Sequence, residues 1–204
     1  MKYMGSKRAM LQNGLGELIQ REASDAVRFV DLFSGSAAVA IHVASRFDIA
    51  VLAFDLQAYS SALANAVLRR QAPLSWATSW RAWMRRAEEY AQDLVPPECD
   101  RITQRIVADL RKWCNNQMAL PVTRAYGGHY FSPRQAIWID ALRATAPTDE
   151  PARGTALAAL IQAASQCAAA PGHTAQPFST NAYRKTVYQG SMEQRHRGEN
   201  KECF

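Results

Sequence analysis

Apolar positions in the first 70 residues alternate between helical and strand-like runs. Leu11, Leu15, Leu18 and Ile19 fall at helical spacing and predict a helix over residues 10–22. Residues 27–33, VRFVDLF, are β-branched and aromatic and predict a buried strand that ends in a Gly/Ser turn. Ala37 to Arg46 has a compact helix pattern, and residues 49–54, IAVLAF, form a second short apolar run that ends at Asp55. Residues 59–70 read as helix again. Strand, tight turn, helix, strand, helix is the opening of a doubly wound α/β sheet. The expected fold class is therefore α/β, with a partial doubly wound, Rossmann-like sheet.

The texture changes at residue 74. From there to residue 118, charged residues alternate with Trp76, Trp80, Trp83, Tyr90, Ile102, Ile106, Leu110 and Trp113. That pattern predicts helices, with a break at Val95-Pro96-Pro97. Trp76, Trp80 and Trp83 share one helical face, which favours a core stripe over a base-stacking surface. Residues 121–133, PVTRAYGGHYFSP, predict a loop, and helices follow at 134–144 and 152–169 until Pro171-Gly172. Residues 179–204 have few apolar positions and no period, which predicts a disordered tail.

Charge changes this picture modestly. The chain has 204 residues and a formal charge of +6. Residues 1–178 hold 19 basic and 15 acidic side chains, and residues 179–204 hold 5 and 3, so no isolated basic tail exists. A basic balance suits a nucleic-acid partner and says nothing about fold. Cys99, Cys114, Cys167 and Cys203 form no C-x-x-C pair and no zinc-spaced cluster, so reduced thiols, no metal and a cytoplasmic location are expected. No apolar segment follows the basic N-terminus, and no apolar run reaches spanning length, so neither a signal peptide nor a membrane anchor is expected.

The first chemical feature is the turn Asp31-Leu32-Phe33-Ser34-Gly35-Ser36-Ala37. Gly lets backbone pass close beneath a ligand, and the following helix start offers free N–H groups. Asp55 lies at the end of the next strand, 20 residues after Gly35. A carboxylate there can accept both hydroxyls of a ribose. Together they indicate an adenosine-containing cofactor; alternatively, the turn is empty and Asp55 caps the helix that begins near Tyr59. Only Gly35 matches the G-x-G-x-x-G fingerprint, because Ala37 stands at the second glycine position. S-adenosylmethionine, which has no phosphate to cradle, fits that sparse pattern better than a dinucleotide.

Several segments now resemble one family. Lys2-Tyr3-Met4-Gly5-Ser6-Lys7, DLFSGSA at 31–37 and FDLQAYSSALANAV at 54–67 are similar to adenine-specific DNA methyltransferases of the DNA adenine methylase class. YGGHYFSPRQAIWIDALR at 126–143 and AAPGHTAQPF at 169–178 extend the resemblance, in family order, over nearly all of residues 1–178. The resemblance implies site-specific N6-methylation of adenine in double-stranded DNA with S-adenosylmethionine. It places Tyr3 and Lys7 at the methionine end of the cofactor, where a Lys charge suits a carboxylate and an aromatic ring suits a sulfonium. Asp31, Phe33, Ser34, Gly35 and Ser36 would line the methionine and ribose side, and Asp55 the ribose. Residues 1–70 become the cofactor-binding part, 71–150 a helical insert for target recognition, and 151–178 a return helix. Within the insert, Arg124, Tyr126, His129 and Tyr130 are the DNA candidates, since a cation, aromatics and flexible glycines suit flipped or single-stranded bases. Arg81, Arg85 and Arg86 suit phosphates or solvent equally.

One family motif is missing. Holding a flipped adenine for attack falls to an Asp-Pro-Pro-Tyr motif in this family, and the sole Pro-Pro here is Val95-Pro96-Pro97-Glu98, inside the helical insert. The expectation is a front portion of a methyltransferase, truncated and inactive alone, with no catalytic residue present. Reading the possible codons from Ser179 one base forward permits QPTRTAKRFIKEAWSRDIVEKTKSA, a helical string similar to the family's continuation. The tail is accordingly expected to be an out-of-frame product, as the gene sequence would reveal. Two rivals remain: a split enzyme completed by a second polypeptide, and a non-catalytic DNA- or cofactor-binding module. A nicotinamide-type enzyme is disfavoured by the glycine count.

Overall fold

The computed structural model describes residues 7–70, 75–97 and 104–170. Tyr3 and the tail at 179–204 lie outside the described residues. The described parts of 3–75 and 147–161 form one compact unit, and those of 76–146 and 162–204 form another.

The first unit holds the sheet. Helices α1 (Arg8–Gln12) and α2 (Leu15–Ala23) come first, followed by strand β1 (Arg28–Asp31), helix α3 (Ala38–Ala44), strand β2 (Ala50–Ala53) and helix α4 (Ala58–Leu68). The strands pair in parallel, with Phe29 opposite Val51 and Asp31 opposite Ala53. A parallel pair needs a crossover, and α3 provides it. Side chains alternate across a strand, so Phe29, Asp31, Val51 and Ala53 share one face. That face lies under the helices: Phe29 and Val51 pack with Ile19, Ala23, Val39 and Val43, and Ala53 packs with Ala37, Ala40 and Ala64.

Two expectations are corrected here. The strand expected to be buried at 27–33 is amphipathic: Val30 and Leu52, on the opposite face, are each 41% exposed. Among the described residues the sheet is thus covered on one face only, with both strands as edges. The single helix expected at 10–22 is two helices, because Gly14 adopts φ 88°, a left-handed conformation that breaks the α-helical run.

The second unit is helical. Helices α5 (Trp76–Ala91), α6 (Gln104–Asn115), α7 (Pro121–Tyr126) and α8 (Pro133–Ala144) make up most of it. Trp83 is 1% exposed, and its indole N–H donates to Leu142 O at 2.9 Å. Trp76 and Trp80 meet it edge-on, and each other at a tilt, with ring centroids 5.5–6.3 Å apart among the three. The stripe packs ring on ring, with Trp83 buried in the core and Trp76 and Trp80 half-buried beside it. Val95-Pro96-Pro97 lies outside the helices, just after α5. Val107, Leu110 and Cys114 form the buried face of α6.

Helix α7 corrects a further expectation, since Pro121–Tyr126 was to be loop. Pro121 at the first helical position suits a helix start, because its missing N–H is not needed there. Helix α9 (Ala152–Cys167) begins in the sheet unit, where Gly154 sits close to Ala66 of α4. No described helix is long and apolar enough to cross a membrane.

Candidate functional site

The glycine turn and the end of β2 meet through backbone bonds. Phe54 N–H donates to Asp31 O at 2.8 Å, and Ser34 N–H donates to Phe54 O at 2.9 Å. Gly35 at φ 52° and Ala37 at φ 59° then turn the chain into α3. Left-handed conformations suit Gly but cost an alanine about 1 kcal/mol or more, so Ala37 is a point of local strain. Its position is enforced, as Ala37 is fully buried and its N–H donates to Ser34 O at 2.7 Å.

Asp55 closes the turn from the other strand. Its carboxylate accepts from Gly35 N–H at 2.8 Å and from Gln57 N–H at 2.9 Å. Those two donors, Gln57 first, hold its carboxyl below the usual aspartate range. The Asp55 side chain thus both reaches the Tyr59 helix, through Gln57, and ties the glycine turn.

The structure brings Lys7 to the same turn. Its ammonium donates to Phe33 O at 2.9 Å and lies 3.5 Å from Asp31 Oδ1. Asp31 is 7% exposed, yet its Oδ2 has no hydrogen-bond partner among the described residues, and neither has the buried Ser34 Oγ. Buried polar atoms without partners are uncommon in folded proteins and mark places where a ligand or water completes the set. Phe33, next to Ser34 in the turn, is 76% exposed. Lys7, Asp31, Phe33, Ser34, Gly35, half-buried Ser36 and Asp55 therefore form one constellation on the turn.

The second set of residues is built differently. Helix α7 ends at Tyr126, whose carbonyl accepts from the N–H groups of His129, Tyr130 and Phe131. Gly128, at φ 73°, makes the reversal. Arg124 and Tyr126 are exposed, His129 and Tyr130 are half-buried, and the Tyr126 and Tyr130 rings meet edge-on at 5.8 Å. Burial, then the Arg111 charge, lowers the His129 pKa below the usual imidazole value, so the ring is neutral at neutral pH.

Two residues that shape this segment escaped the sequence reading. Asp140 on α8 is 3% exposed, and its carboxylate accepts from Val122 N–H at 2.9 Å and Thr123 N–H at 2.7 Å. Arg111 on α6 donates from Nε to Gly128 O at 2.8 Å. The only signal in the chain was an acid within an apolar stretch, Ile137 to Leu142. Among the described residues, no cluster of three His, Cys, Asp or Glu side chains could hold a metal ion.

An α/β unit with a glycine turn and an acid at the next strand end, joined in sequence to a helical unit, defines the general class. The model of the D12 class N6 adenine-specific DNA methyltransferase family matches residues 3–108. That stretch is more than half of the chain, and the chain belongs to this family of enzymes. No curated protein and no solved structure matches the chain.

Proposed function

We propose that the glycine-turn constellation binds S-adenosylmethionine and that the chain is the cofactor-binding and DNA-reading portion of an adenine N6-methyltransferase. The observation that carries this reading is the buried, half-satisfied Asp31 beside Lys7. A cation and an anion side by side, with one carboxylate oxygen unpartnered among the described residues, match the two charges of an amino-acid end. Lys7 would hold the cofactor carboxylate and Asp31 Oδ2 its ammonium, while Ser34 Oγ supplies a further polar contact. Asp55 would accept from ribose hydroxyls, already charged and oriented by Gly35 and Gln57. The bound cofactor supplies an activated methyl group on sulfur, so methyl transfer needs no metal. In the helical unit, Arg124 would meet phosphate, and Tyr126, His129 and Tyr130 would meet unstacked bases of double-stranded DNA.

The 204 residues contain no Asp-Pro-Pro-Tyr motif, which by the family resemblance would orient the adenine amino nitrogen. We read the chain as binding cofactor and DNA without completing transfer on its own, in a soluble, cytoplasmic setting. Calorimetry and radiolabelled methyl transfer test this together. S-adenosylmethionine should bind, and Asp55→Asn should weaken it about tenfold or more, as expected for loss of a charged acceptor. Unmethylated DNA should receive no label from residues 1–204. Tight NAD binding without S-adenosylmethionine binding would overturn the cofactor reading, and robust labelling would overturn the inactivity. Labelling that appears only with a second polypeptide would favour a split enzyme.

A further inference from the structure

Helix α7 has only six residues, too few to persist alone, because helix nucleation is unfavourable and short segments repay it poorly. Its N-cap residue is Leu120, whose side chain offers no acceptor, and no capping bond comes from it. Pro121 has no N–H, so the helix start leaves the N–H groups of Val122 and Thr123 exposed to need. Asp140 answers both, one with each carboxylate oxygen, from a neighbouring helix. A buried carboxylate is costly unless it is fully hydrogen-bonded. The buried Asp140 carboxylate and the start of α7 therefore satisfy each other's hydrogen-bonding needs.

The consequence runs along the backbone. Gly127 N–H donates to Thr123 O at 2.9 Å, and Tyr130 N–H donates to Tyr126 O at 3.0 Å. Gly127 and Gly128 are seated against α6: a Cβ on Gly127 would stand 2.7 Å from Cys114 Sγ, and one on Gly128 would stand 2.7 Å from Arg111 Cγ. Arg111 pins the Gly128 carbonyl at the far end. The exposed side chains of Arg124 and Tyr126 thus sit on a segment fastened at both ends by buried or half-buried ionic groups.

We propose that Asp140 is a positioning residue for DNA binding: it fixes α7, and with Arg111 it presents Arg124 and Tyr126 in one preformed arrangement. The proposal rests on the DNA reading of this segment. Preorganised contact groups avoid the ordering cost that flexible ones meet on binding. Asp140 touches no DNA itself.

The test is equilibrium binding of the full chain to a fluorescent DNA duplex at low temperature and low salt. Circular dichroism gives the folded fraction in each sample. Asp140→Asn keeps the shape but turns an amide N–H toward one backbone donor. Its folded molecules should bind about tenfold more weakly, a fraction of what a charged hydrogen bond is worth. Arg111→Lys, which loses the Nε donor and keeps the charge, should weaken binding in the same direction and covers the case in which Asp140→Asn does not fold. A purely structural role lowers the melting temperature and leaves the affinity of folded molecules unchanged, and that result for a folded variant would overturn the proposal. Arg124→Ala and Tyr126→Ala serve as the control for the underlying reading. If both bind like the wild type, the segment is not a DNA surface and the positioning role falls with it. If both bind weakly while Asp140→Asn and Arg111→Lys bind normally, the DNA reading stands and only the positioning role fails.

Discussion

His129 and Asp55 show how the two halves of the candidate machinery respond to protons in the same direction. Burial and Arg111 lower the His129 pKa, so the unfolded chain binds a proton there more readily than the folded one. Stability from this residue is present above the ordinary imidazole pKa, about 6.5, and is lost as pH falls through the folded value. Asp55 behaves likewise at lower pH: its carboxyl is held down by Gln57 and Gly35, so its contribution disappears as pH falls through its folded pKa. Proton resonances of His129, followed by titration, should give a midpoint below the usual histidine value. A normal or raised midpoint would contradict the burial against Arg111. Cys114 is a bystander by comparison, since burial pushes its thiol up to about 11 and leaves it inert at neutral pH.

Helix α8 organises the helical unit because both of its ends and its middle are committed. Ser132 caps it by accepting from Gln135 N–H at 3.2 Å, and the Gln135 side chain accepts from Ser132 N–H at 3.0 Å. This reciprocal box satisfies two groups that a helix start leaves open. Pro133 occupies the first helical position. At the other end Arg86 donates to Thr145 O at 3.2 Å, and Trp83 reaches Leu142 O within the last turn. Ser132→Ala should lower unfolding free energy by about 1 kcal/mol in denaturant titration, with little change in slope. A neutral result would mean that Gln135 alone carries the cap. The helix this box opens was expected within one residue of its start. The helix α7 before it was not legible, because its cap comes from an acid 17 or 18 residues further along the chain. Local patterns cannot report such a partner.

For the chain as a whole, +6 is a moderate excess of positive charge and its consequence is measurable. Binding to nonspecific duplex DNA should weaken as salt rises, and the log–log slope reports the phosphates neutralised, about 0.9 per contact. A flat salt response would indicate that the basic residues serve solvation alone. The sheet unit carries a different signature. Its strands bury Phe29 and Val51 under helices and expose Val30 and Leu52 on the other side. Parallel sheets are ordinarily covered on both faces, so the described residues make one covered layer of such an arrangement.

The sequence alone determined the order of elements in the sheet unit, the glycine turn after β1, the acid at the end of β2 and the family to which the chain belongs. These are local: hydrophobic period, turn chemistry and short motifs write them directly into neighbouring residues. It also put the three Trp rings on one helical face, of which Trp83 lies in the core and Trp76 and Trp80 are half-buried. What only the tertiary structure decided depends on groups distant in the chain. Gly14 split the first helix through a dihedral angle that no periodicity shows. Among the described residues strand burial is one-sided, because coverage depends on where helices pack and not on how apolar a strand is. Lys7 met Asp31 across 24 residues, leaving one buried carboxylate oxygen without a partner among the described residues. Asp140 turned a stretch that reads as loop into a helix, because a hydrogen bond from another element supplied the acceptor that its own N-cap lacks.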